Sequence, residues 1–86
     1  MTKRELIISL YSDHDDEGLL FADGFDDAII GICPASLRVV YSRSKAINIL
    51  SEDMSLEDAV EFAEYNTFAA YVGERTPIWV EDFEWE

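Results

Sequence analysis

The stretch DDAIIGICPASLRVVYSRSKAINIL, residues 26–50, decides how this chain folds. DDAIIGIC and SLRVVYS are two β-rich runs, and Pro34 and Ala35 between them remove a ladder donor and force a turn, so they read as a hairpin. After Ser42 the apolar period lengthens from two towards 3.6. SKAINILSE then reads as a short helix with Ala46, Ile47, Ile49 and Leu50 inward, closed by Glu52 and Asp53. A strand pair running directly into a helix points to an α+β domain.

Working outward, TKRELIISLYSD carries Leu6, Ile7, Leu10 and Tyr11 at amphipathic spacing. With Thr2 as N-cap and Glu5 three residues on, it predicts a helix over 3–12, against a competing strand reading of LIISLY. GLLFAD reads as a further strand, with DGFDD as the turn after it. Towards the C-terminus, Ser55 and Asp58 form a near capping box that opens a helix over 56–72, ended by Gly73 and Pro77. Its expected inner stripe is Leu56, Ala59, Val60, Ala63 and Ala70, broadened by Phe62, Tyr65, Ala69 and Val72. Glu57, Glu61 and Glu64 line the other side. PIWVEDFEWE alternates as a final extended segment returning to the sheet. The expectation is one small two-layer domain: a helix, antiparallel strands, two successive helices with the second covering a sheet face, and a C-terminal strand.

A chain of 86 residues supports one core, and 49% apolar with 13% aromatic residues excludes a disordered acidic segment. The single cysteine, Cys33, has no internal disulfide partner and reads as an inert core thiol. The start MTKREL lacks a signal-peptide stretch, so a reducing, cytoplasmic home is expected. The longest apolar run, residues 28–33, is far short of the ~20 residues of a membrane span.

Net charge is −13, and it is unevenly placed: −6 over residues 1–27, +3 over 28–51 and −10 over 52–86. Such a field repels nucleic-acid backbones and membrane surfaces and attracts basic partners over about one Debye length, ~8–10 Å. Seven carboxylates and the only histidine crowd residues 12–27. Asp13, Asp15, Glu17 and Gly18 match the first half of a calcium loop, but the twelfth position, where a bidentate glutamate belongs, is Gly24. The run therefore reads as a solvated face, and no cofactor or metal is expected. His14 has no serine or cysteine placed to meet it, and Asp26 and Asp27, adjacent on a strand, would face opposite ways, so no catalytic residue is assigned. Arg38, Arg43 and Lys45 are expected to pair with carboxylates of the flanking blocks, the alternative being a small anion pocket under a helix N-terminus.

The runs DGFDDAIIGI (23–32), RVVYSRSKAINIL (38–50) and DMSLEDAVEFAEYNTFAAYVGERTPIWV (53–80) resemble a group of short uncharacterised tailed-bacteriophage proteins. YNTFAAYVGERTPIWV carries the best match, and the region before Asp23 has no counterpart. The resemblance implies a product made inside a bacterium that binds and inhibits host machinery, and it transfers no site residues.

Two functions follow as expectations. The first is a non-enzymatic acidic interaction protein that presents Glu57, Glu61 and Glu64, together with Asp82, Phe83, Glu84 and Trp85, to a basic host or viral protein, as an inhibitor or nucleic-acid mimic. Residues 82–86 are expected to form a loose tail that docks on another protein or a second copy of the chain, while Trp79 packs in the core. The second is a pocket protein holding a metal ion through Asp13, Asp15 and Glu17, or a small anion through Arg38 and Arg43.

Overall fold

The computed structural model describes residues 2–11, 19–70 and 73–82. The first helix, α1 (Lys3–Tyr11), starts where its sequence says it should. The Thr2 hydroxyl accepts from the Glu5 amide at 3.1 Å, and the Glu5 carboxylate accepts from the Thr2 amide at 2.9 Å, so the capping box is reciprocal. The Thr2 amide, and after it the Thr2 side chain, hold the Glu5 carboxyl below its ordinary pKa. Its buried side is Ile7, with Ile8 and Tyr11 beside it, whereas Leu6 and Leu10 are exposed.

GLLFAD is not a strand. Leu19–Ala22 is irregular, with Leu19 buried, and an Asp23–Gly24 turn follows in which Gly24 takes φ +86. This left-handed geometry favours glycine. Beyond a single 3₁₀ turn at Asp26–Ala28, β1 (Ile29–Cys33) and β2 (Arg38–Ser42) form the expected antiparallel hairpin. Cys33 pairs with Arg38, Ile32 with Val39 and Gly31 with Val40. A bulge between Ile29 and Gly31 then shifts the register so that Ile29 meets Tyr41 and Ile30 turns outward.

Helix α2 (Arg43–Leu50) follows β2 without a loop, because Ser42 ends the strand in extended geometry while its hydroxyl caps the Lys45 amide. Helix α3 (Leu56–Phe62) is capped by Ser55 through the Asp58 amide at 3.1 Å. It runs directly into a π-helical turn, Ala63–Thr67, where the Phe68 amide reaches back five residues to the Ala63 carbonyl. The helix expected over 56–72 therefore ends earlier as a regular helix, and residues 71 and 72 lie outside the described residues. β3 (Ile78–Val80) joins β2 in parallel, Trp79 opposite Tyr41, giving a mixed sheet of order β1-β2-β3. A parallel return needs a long crossover, here supplied by α2 and α3.

Helix α1 packs on β1 and α2 on β2, but α3 packs chiefly on α2 rather than over the sheet. Across α3 and the π turn only small residues are buried: Ala59 and Ala63, one turn apart, are fully covered. Close approach of two helices over small side chains leaves the large ones at the margins. Val60, expected inside, is 38% exposed, Leu56 62% and Tyr65 78%. Val60→Asp is accordingly expected to shift the melting temperature by only a few degrees, whereas Ala63→Asp places an unpaired charge in the packed seam and unfolds the chain. Thermal melts followed by circular dichroism distinguish the two.

Trp79 ties the layers together. Its ring stacks on Tyr41 at 4.7 Å and meets Phe68 at 5.1 Å and the edge of Phe25 at 5.6 Å. Its packing in the domain core is as the sequence implies.

Candidate interaction surface

The structure separates the acidic residues by role. Glu57 and Glu61 lie one turn apart on α3 and are exposed. Glu64, the next in the row, accepts from Arg43 Nη2 at 2.6 Å. Arg43 also lies 3.8 Å from Glu81 and sits over the Phe68 ring at 4.4 Å, so it joins α2, the π turn and β3. Asp82 accepts from the Ser42 hydroxyl at 2.5 Å and from Ser44 at 3.4 Å, at the start of α2. Phe83, Glu84 and Trp85 lie outside the described residues. A tail beginning at residue 82 thus starts too early, since Asp82 is fastened to the domain.

The anion at the α2 N-terminus is the chain's own. Ser42 is fully buried; it donates to Asp82 while accepting from the Lys45 amide, and together with Lys45's charge this holds the Asp82 carboxyl below its ordinary pKa. Because the folded value is depressed, the latch contributes stability above the ordinary value, ~3.9, and loses it as pH falls through the folded one. Ser42→Ala removes both the cap and the Asp82 partner. The lost cap alone is expected to cost about 1 kcal/mol, and without the Asp82 partner the decline in melting temperature below about pH 4 should flatten.

The basic residues follow the pairing expectation at Arg43 and differ at Arg38, whose Nε donates to the Thr76 carbonyl at 2.7 Å. Arg38 opens β2 and Arg43 follows its end, and both are engaged within the chain, Arg38 by the Thr76 carbonyl and Arg43 by Glu64 and Glu81. Asp13, Asp15, Glu17 and His14 lie outside the described residues. Among the described residues, no group of three or more His, Cys, Asp or Glu is placed to hold a metal. Cys33 is not enclosed in the core: it ends β1, half-buried, with its thiol pKa lowered by the Ser36 hydroxyl across the turn. Among the described residues no helix is long and apolar enough to cross a membrane.

The aromatic half of the surface was hidden in the sequence. Met54, Asp58, Glu61, Phe62, Tyr65 and Asn66 surround a shallow depression on the outer side of α3. Sequence periodicity puts Phe62 and Tyr65 on the broadened inner stripe; the alanine pair at 59 and 63, one turn apart, is the signal that the inner stripe is narrow. Carboxylates and large rings therefore share one exposed face. No protein-family model matches the chain, and no curated protein or solved structure matches it.

Proposed function

We propose that this chain is a non-enzymatic interaction module whose α3 face binds a basic protein. The observation that carries this reading is the exposure of Leu56, Phe62 and Tyr65 among Glu57, Asp58 and Glu61. Large apolar side chains left in water on a small domain are costly unless they are covered, and aromatic anchors ringed by charge are the usual composition of a binding hot spot. The surrounding carboxylates, within a segment carrying most of the chain's negative charge, would steer a cationic partner. The non-enzymatic part rests on the sequence, whose only histidine has no nucleophile placed beside it.

In this reading the protein is phage-encoded and acts in the bacterial cytoplasm on host or viral machinery as an inhibitor. With Glu64 and Asp82 engaged internally, docking through aromatic anchors is better supported than imitation of a phosphate lattice, which needs acids spread over an extended face.

The test is capture from bacterial lysate at low and high salt, comparing the natural chain with Phe62→Ser/Tyr65→Ser. Both rings are exposed, so the variant keeps its fold. Basic proteins retained at low salt, released at high salt and lost with the double variant support the proposal; retention indifferent to the two rings overturns it.

A further inference from the structure

On the other side of Asn66 from the α3 depression lies a cavity of about 380 Å³. It opens between the Leu20–Phe25 segment, the end of the π turn and the start of β3. Phe21, Phe25 and Trp79 line it, Asn66 and Thr67 stand at the π turn, and the acidic Asp23, exposed in the Asp23–Gly24 turn, is among its lining residues. The volume falls within the ~300–1,000 Å³ of ordinary ligand pockets, and π turns recur where a helix has been distorted to build a site.

From this arrangement we infer that the groove on α3 continues across Asn66 and that the aromatic cavity receives an arginine side chain of the basic partner. The inference rests on the docking function proposed above and adds the anchor and its chemistry. Three features select arginine. The walls are aromatic, which suits both its aliphatic stem and its flat cation. Asp23 offers a carboxylate to a guanidinium, whose planar fork is more weakly hydrated than an ammonium and so is easier to desolvate. The fold already uses this pairing twice around the cavity. Arg4 sits over the Phe21 ring at 4.6 Å while lying 3.5 Å from Asp26, and Arg43 sits over Phe68, itself in contact with Trp79. Arg4 opposes a second cation near Phe21, so the incoming charge is placed towards Asp23.

The test is an NMR titration of the full chain with a short blocked peptide of alternating arginine and leucine, set against the same peptide with citrulline in place of arginine. The Trp79 indole signal is assigned by comparison with Trp85→Phe. The arginine peptide is expected to shift the Trp79 indole and the Asp23 and Asn66 amides, with the citrulline peptide at least tenfold weaker. Asp23→Asn should weaken binding several-fold, and Asp23→Glu should restore it. Equal binding of the two peptides, or no effect of Asp23→Asn, overturns the arginine assignment. Shifts confined to Glu57, Glu61 and Tyr65 overturn the cavity while leaving the α3 docking reading intact. An absence of shifts anywhere overturns both.

Discussion

Tyr41→Ala is expected to leave the protein unfolded at room temperature. Tyr41 is the largest fully buried side chain among the described residues, at 0% exposure. Its ring stacks on Trp79, and its hydroxyl accepts from the Ala22 amide at 2.7 Å, so one residue holds β3 and the Leu19–Ala22 segment to the hairpin. Truncating a buried aromatic costs about 3–5 kcal/mol. Leaving the Ala22 amide without its acceptor adds about 1–3 kcal/mol. A small domain at the lower end of the usual ~5–15 kcal/mol does not survive that loss. Tyr41→Phe isolates the hydroxyl: the ring remains, and the expected cost is the same ~1–3 kcal/mol for the orphaned Ala22 amide, a drop of roughly 4–24 °C in melting temperature. Burial raises the Tyr41 pKa. Its contribution is therefore complete below the ordinary tyrosine value, ~10, and is lost as pH rises through the folded value; the phenylalanine variant should lack that alkaline limb. A natural-like melt for Tyr41→Ala would show that the core is organised elsewhere.

Glu57→Lys/Glu61→Lys is expected to weaken partner binding by about 100-fold or more, since setting like charges against a basic partner costs several kcal/mol. The fold should be indifferent or slightly improved by the single change Glu61→Lys, because the natural pair places two carboxylates at i, i+4, and Glu57 followed by Lys at 61 turns a repulsion worth ~0.2–0.5 kcal/mol into an attraction. Affinity and stability therefore move in opposite directions. A merely solubilising role for these acids would leave affinity unchanged, and titration calorimetry paired with thermal melts separates the cases.

What was legible in the sequence was what is local. The Pro34–Ala35 break, the alternation of Val39 and Tyr41, the Thr2–Glu5 box and the Ser55 cap are each set by residues within a few positions, and each is present. The parallel register of β3, the bulge beside Gly31 and the Asp82 latch depend on segments far apart in the chain, which periodicity does not report. The inward face of α3 escapes periodicity for the same reason. Val60 and Leu56 are apolar enough for a core, but α3 packs chiefly on α2, and along that side only Ala59 and Ala63 are fully buried. Exposure of Glu57 and Glu61 followed from charge alone. The accompanying rings, Phe62 and Tyr65, became visible only once the helix was oriented.

The central claim is that the α3 face is where a basic partner sits, and hydrogen–deuterium exchange on the captured complex tests it most directly. Binding is predicted to slow exchange across Leu56–Thr67 relative to the free chain, with the hairpin tip at Pro34–Leu37 unchanged. Protection at the hairpin tip with none across Leu56–Thr67 would contradict the account.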